Sequence, residues 1–154
     1  MKLRINIDGA CRGNPGPGSS AAIIRDAGGK VLKEVAKHLG TCTNNQAEFF
    51  ALEMALSQAL AMNADEADIF SDSQLLVNQY NGIYRVKNPA LAEFMREIKI
   101  KASKFKRITL THVPREQNSA ADRRANLELD RVAKEQKEEA EKARKWLDNQ
   151  PTLF

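Results

Sequence analysis

No stretch of this 154-residue chain approaches the roughly 20 consecutive apolar residues that a membrane-spanning helix requires, so no helical span is expected. Cysteine is scarce: Cys11 and Cys42 are the only two, which excludes a disulfide framework and fits a reducing, cytoplasmic setting. No internal repeat is present, and nothing marks a second domain. The opening Met1-Lys2-Leu3-Arg4-Ile5-Asn6 runs straight into an alternating apolar pattern, and no secretory leader is expected. Nor is there a dominant charge. The net +4 and pI of about 9.1 lean toward a polyanionic partner without establishing one. What is present, 42% hydrophobic and 29% charged residues, describes an ordinary globular chain long enough for one well-cored domain.

Leu3, Ile5 and Ile7 alternate with Arg4, Asn6 and Asp8, which predicts a strand whose more polar face carries Asp8 at its end. Ser19 to Asp26 and Val31 to Leu39 read as two further strands, joined by the turn Asp26-Ala27-Gly28-Gly29. The period then changes. Gln46 to Met62 carries Ala47, Phe50, Ala51, Met54, Ala55, Leu56 and Leu60 at helical spacing, capped by Thr43 or Asn44. Ala67 to Ser71 is a short buried strand, Ser73 to Tyr80 a short helix, and Asn88-Pro89 opens another. Arg107 to His112 is a fifth strand, and Asn118-Ser119 begins a long last helix. The order βββ-α-β-α-α-β-α predicts a mixed α/β fold: one five-stranded mixed sheet with helices on its faces.

Between the first two strands lies Gly9-Ala10-Cys11-Arg12-Gly13-Asn14-Pro15-Gly16-Pro17-Gly18, with four glycines and two prolines. Such a loop lets backbone N–H groups approach a ligand closely. Taken alone it is a hairpin connection. Four carboxylates give it context. Asp8 ends the first strand, Glu48 lies in the first turns of the first helix, Asp72 follows the fourth strand, and Asp122 opens the last helix. Ligands gather beyond strand ends where connections diverge, and neighbouring first and fourth strands would set Asp8 beside Asp72. Unpaired, these acids would repel and one would take up a proton. A hard divalent cation removes that penalty. Two such ions, about 3.5–4 Å apart, can serve phosphodiester displacement.

Ile7-Asp8-Gly9-Ala10-Cys11-Arg12-Gly13-Asn14-Pro15-Gly16, Thr43-Asn44-Asn45-Gln46-Ala47-Glu48, Ser71-Asp72-Ser73-Gln74 and Asn118-Ser119-Ala120-Ala121-Asp122 resemble, in order, the four signatures of type 1 ribonuclease H. The resemblance spans roughly residues 3 to 130. It implies a ribonuclease H-like fold and an endonuclease that cleaves the RNA strand of RNA–DNA hybrids. It further implies two Mg²⁺ ions, for which Mn²⁺ may substitute, held by Asp8, Glu48, Asp72 and Asp122. Gly9, Cys11, Arg12, Asn14, Asn44, Asn45 and Gln74 are then the expected readers of the RNA 2′-hydroxyl, since amides and backbone groups meet a hydroxyl as donor or acceptor. Thr43 and Asn88 resemble parts of the pocket for a DNA-strand phosphate. A catalytically silent hybrid-binding module and a junction-type nuclease on the same fold are the alternatives.

Three departures from the family pattern stand out. The segment from Asn81 to Pro89 carries only Arg85 and Lys87 where many members have a long basic insertion, which predicts weaker binding and a shallower salt dependence. The loop Val113 to Asn118 has no histidine; Arg115 and Glu116 are the candidates to stand in for it, and His112 is expected in the core or at an edge. Thr41 stands where an arginine often supports the phosphate pocket. Cys11 and Cys42 read as inert thiols, with a regulatory disulfide as the alternative.

The chain is thus read as a catalytic domain over 1–130, a charged helical extension over 131–148 with i,i+4 pairs Glu138–Lys142 and Glu141–Lys145, and a tail over 149–154. It is expected to be a monomer. The tail's Gln150, Leu153 and Phe154 resemble the short peptides by which bacterial replication proteins dock on the sliding clamp. The plainer alternative is a tail that folds back on its own domain.

Overall fold

The computed structural model describes residues 1–151. Leu153 and Phe154, two of the three tail residues singled out above, lie outside them. Five strands form one sheet in the order β3-β2-β1-β4-β5: β1 (Lys2–Cys11), β2 (Gly16–Asp26), β3 (Val31–Cys42), β4 (Glu66–Ser71) and β5 (Arg107–His112). The hairpin-linked β1, β2 and β3 pair antiparallel, while β4 and β5 run parallel to β1. Four helices pack around it: α1 (Asn44–Ala61), α2 (Gln74–Tyr80), α3 (Pro89–Ala102) and α4 (Ser119–Asp148). No helix among the described residues is long and apolar enough to cross a membrane.

The alternation of β1 sorts its side chains onto two unlike faces. Leu3, Ile5 and Ile7 are fully buried beneath α1, against which α3 packs, in a core with Ile24, Phe49, Leu52, Leu56, Ile69 and Ile98. On the other face Asn6 and Asp8 lie beneath α4, beside Ala21, Ile23, Ala121, Ala125 and Leu129. Two adjacent buried serines tie both helices to β2. Ser19 Oγ donates to the Ala125 carbonyl of α4 (2.6 Å), and Ser20 Oγ donates to the Ala47 carbonyl of α1 (2.7 Å).

The helix starts follow capping chemistry. Thr43, not Asn44, caps α1 in a full capping box with Gln46; Ser73 caps α2; Asn88 caps α3 with Pro89 just inside.

Several boundaries differ from the expectation. The glycine-rich segment is largely strand: β1 continues to Cys11 and β2 begins at Gly16, with Cys11 opposite Gly18, so the true loop is only residues 12–15. Asp8 is therefore not the last residue of β1. It stands where the β1–β4 ladder stops, one residue past the Ile7–Ser71 pair. β3 runs on to Cys42 because Gly16 pairs with it. On α1 it is Phe49 that is fully buried, while Phe50 is 41% exposed and rests against Phe94. His112 ends the edge strand β5 and is exposed. A 3₁₀ turn, Arg115–Gln117, precedes α4. Among the described residues, neither Glu138–Lys142 nor Glu141–Lys145 closes into an ion pair; Arg131 instead bridges Glu128 and Glu135. From residue 133 onward every described residue of α4 is exposed, and Gln150 folds its amide onto the Trp146 carbonyl (3.0 Å).

Candidate active site

The end of the β1–β4 ladder opens into a cavity of about 560 Å³ lined by all four singled-out carboxylates. Each arrives on a different element. β1 brings Asp8 and the β4–α2 junction brings Asp72, neighbours because of the parallel register. Glu48 comes from the second turn of α1, which can lie this close only because residue 9 is glycine. A Cβ there would sit 2.4 Å from the backbone of Ala47 and Glu48. Asp122 comes from the first turn of α4.

Asp8, Glu48 and Asp72 each offer an oxygen such that all three lie within 4.8 Å of one another. Asp122 meets Asp8 from the α4 side without joining that trio. Asp8 is 5% exposed and Glu48 8% exposed. Burial, followed by the charges of Asp72 and Asp122 and a hydrogen bond with Asp122, pushes the Asp8 carboxyl up to about 8. Burial and then the Asp8 charge hold Glu48 well above the usual carboxylate range, against the Gly9 N–H that favours its ionised form. Glu48 Oε2 is buried with no hydrogen-bond partner among the described residues. Oxygen-only donors at this spacing, one of them orphaned, fit a hard divalent cation.

A family model described as reverse transcriptase-like matches residues 6–128. The ribonuclease HI of Halobacterium salinarum is 37% identical over 129 residues, 84% of this chain and 65% of that protein. The chain belongs to the type 1 ribonuclease H family. The solved ribonuclease H1 of that archaeon superposes with a TM-score of 0.82 at 35% identity, covering 84% of this chain and 98% of its own. A ribonuclease H1 solved with an RNA/DNA hybrid gives 0.80 at 36% identity, covering 85% and 99%. A protein of Mycobacterium tuberculosis described as bifunctional is 38% identical over 153 residues, 99% of this chain. The chain spans only 42% of that relative's length.

Of the other residues that the ribonuclease H signatures single out, Gly9, Cys11, Asn14, Asn44 and Asn45 line the carboxylate cavity. Asn14 Oδ1 accepts the Asn44 backbone N–H (3.0 Å), tying the loop to the start of α1. Asn45 Oδ1 is buried without a partner among the described residues, and Asn45 also lines a second cavity of about 500 Å³ with Asn88, Arg85 and Lys87. Three expected site residues are not brought in. Arg12, expected to act through its backbone, does not line the cavity: its N–H donates to the Pro17 carbonyl (2.8 Å), and its side chain reaches Asp130 and the Asn126 carbonyl of α4. The Gln74 amide lies along α2, donating to Asn78 Oδ1 (3.1 Å). Thr43 lines neither cavity, its hydroxyl being taken by the Gln46 N–H (3.2 Å). Of the stand-ins for the missing histidine, Arg115 lines the cavity and Glu116 does not. Cys11 Sγ donates to the Cys42 carbonyl (2.8 Å); both thiols are free, and burial followed by the neighbouring Cys11 raises the Cys42 thiol.

Sequence reasoning missed Asn126. Its amide donates to the Asp122 carbonyl oxygen (3.0 Å) and reaches Oδ1 (3.4 Å) while lining the cavity. Its place four residues after Asp122, one turn on along the same helix, was a usable signal.

Proposed function

We propose that this chain is an endonuclease that hydrolyses the RNA strand of RNA–DNA hybrids, leaving 5′-phosphate and 3′-hydroxyl ends. The observation that carries the reading is the mutual approach of Asp8, Glu48 and Asp72 within 4.8 Å, in a cavity that Asp122 completes. Asp8, Glu48, Asp72 and Asp122 would hold two Mg²⁺ ions, with Mn²⁺ able to substitute. Bound there, the ions neutralise the scissile phosphate, lower the pKa of an attacking water and steady the departing 3′-oxygen.

The chain's own residues do the rest. Without metal, burial and the neighbouring acids favour a protonated Asp8 up to about pH 8, and a bound cation would favour its ionised form. Gly9, Cys11, Asn14, Asn44 and Asn45 line the cavity, where their backbone groups and amides would read a 2′-hydroxyl and so distinguish RNA from DNA. Gln74 would join that set by leaving Asn78, and Arg12 would join it through its backbone. Asn88, Arg85 and Lys87, which line the second cavity, would form the flank for a DNA-strand phosphate, and Thr43, the α1 cap, would belong to the same pocket by resemblance alone. Arg115, on the cavity rim, supplies a fixed positive charge to the cleaved strand.

The enzyme is read as a cytoplasmic monomer, and the tail at Gln150, Leu153 and Phe154 either folds back on its own domain or docks on a replication clamp. Pull-down of the clamp by the wild type and its loss in Leu153→Ala/Phe154→Ala would support the tail role; unchanged binding removes it. For the activity, end-labelled hybrid, duplex DNA and duplex RNA are incubated with and without EDTA. Cleavage of the hybrid alone, abolished by EDTA, is expected. Binding without cleavage would make the chain a silent hybrid-binding module, and cleavage of branched or duplex DNA a junction-type nuclease.

A further inference from the structure

Asn118 stands at the N-cap position of α4, where an asparagine side chain ordinarily accepts an N–H of the first turn. Here no such side-chain bond forms among the described residues. The side chain is 1% exposed and is spent elsewhere. Its Nδ2 donates to the carbonyl of Ile7 (2.8 Å), the residue before Asp8. Its Oδ1 accepts from Asn6 Nδ2 (3.0 Å), and Asn6 Oδ1 in turn accepts from Arg25 Nη1 (2.8 Å). The backbone carbonyl of Asn118 accepts the Asp122 N–H (3.1 Å). A single directed chain of donors thus runs from a cation on β2, through β1, to the residue that starts α4, and closes on the strand carbonyl next to Asp8. Asn6 and Arg25 lie outside all four sequence signatures.

The direction of the chain matters because an asparagine amide is nearly symmetric in shape. Rotated by half a turn, Asn118 would set its oxygen against the Ile7 carbonyl and its NH₂ against the Asn6 NH₂, two repulsive contacts. Arg25 can only donate, so it fixes Asn6 Oδ1 toward itself and Asn6 Nδ2 toward Asn118. That choice leaves Asn118 one orientation.

We propose that Asn6, oriented by Arg25, is a positioning residue for the carboxylate site: through Asn118 it sets Asp122 of α4 against Asp8 of β1 and thereby sets the affinity for divalent cation. The proposal rests on the reading of the four carboxylates as cation ligands.

The test uses the full chain with Asn6→Ala, Arg25→Ala, Arg25→Lys and the Asn6→Ala/Arg25→Ala double variant. Mg²⁺ affinity is measured by calorimetry without nucleic acid, and the Mg²⁺ half-saturation of hybrid cleavage alongside KM for hybrid at saturating Mg²⁺. Asn6→Ala is expected to weaken Mg²⁺ binding about 10-fold, near the effect of losing a partner that orients a metal ligand, and to leave KM for hybrid within twofold. Arg25→Ala is expected to give part of that loss, Arg25→Lys to restore it, and the double variant to be no worse than Asn6→Ala. In metal-free protein the amide resonances of Asp8 and Asp122 should shift in Asn6→Ala and Arg25→Ala and return in Arg25→Lys. Unchanged Mg²⁺ affinity with only a lowered melting temperature overturns the proposal, as does a rise in KM with metal binding intact, or additive losses in the double variant. A wild type that binds no Mg²⁺ overturns the carboxylate reading itself, whereas wild-type binding that is indifferent to Asn6 and Arg25 overturns this proposal alone. Arg25 is half-buried at the sheet surface, so its two variants keep the test decisive if Asn6→Ala folds poorly.

Discussion

Ile5 and Ile7 on one face of β1 and Asn6 and Asp8 on the other are one residue apart in sequence, yet they enter unlike surroundings. The α1 side is dry: large aliphatic and aromatic side chains, most of them fully buried, with Ser20 among the few polar groups. The α4 side is thin and directional: alanines for contact, and hydrogen bonds from Ser19, Asn6 and Asn118 for registration. Apolar contact is non-directional and scales with area, so it holds α1 down. A hydrogen bond has a required angle and length, so it fixes where α4 begins. The cavity sits where the two regimes meet, drawing Glu48 from the first and Asp122 from the second.

The comparison breaks most sharply if one side chain can be lost from the site without loss of fold. Asp72→Asn is expected to lower hybrid cleavage by about 10³-fold or more while the thermal midpoint in EDTA stays the same or rises, since a repelled charge is removed; full activity would end the metal role. Gly9→Ala strikes both regimes at once. The new Cβ meets α1 backbone that cannot yield, so stability and cleavage should fall together, by roughly 1–3 kcal/mol or more in urea titration. Leu52→Ala, wholly within the dry face, should cost roughly 2–5 kcal/mol while cleavage per folded molecule holds within about twofold.

A pH test sharpens the contrast further. The unfolded chain releases the Asp8 proton near 3.8, whereas the metal-free folded chain holds it to about 8. Between those values the folded state carries the extra proton, so this group's contribution to stability declines as pH rises. The melting difference between wild type and Asp8→Asn in EDTA should therefore widen in the variant's favour from pH 4 to pH 8. Added Mg²⁺ should raise the wild-type midpoint more at pH 8 than at pH 5. The smallest effect expected is from Ser19→Ala or Ser20→Ala, each about 1 kcal/mol by denaturant titration, with neither serine outweighing the other.

Much of this was legible in the sequence. Alternation from Leu3 to Asp8 marked β1 and its two faces, Thr43 or Asn44 announced a helix start, and four short motifs named the carboxylates. Local patterns did not show how far the β1–β2–β3 ladders reach, because glycines that read as loop are held in pairing by partners some distance along the chain. They likewise could not tell Phe49 from Phe50, which differ by one step around a helix. Asn118 read as part of a helix start, and it stands at the N-cap position; its side-chain partners are 111 and 112 residues away, beyond any local pattern. Arg12 was drawn to Asp130 by a contact across 118 residues, equally invisible to motif matching.

Ser19 and Ser20 make neighbouring peptide units of β2 a yoke for α1 and α4. Both helices are thereby referred to one strand, itself paired on both edges. Two segments that border the cavities lie outside the yoke: residues 81–88, flanking the second cavity, and the 3₁₀ turn Arg115–Gln117, which carries Arg115 to the rim of the first.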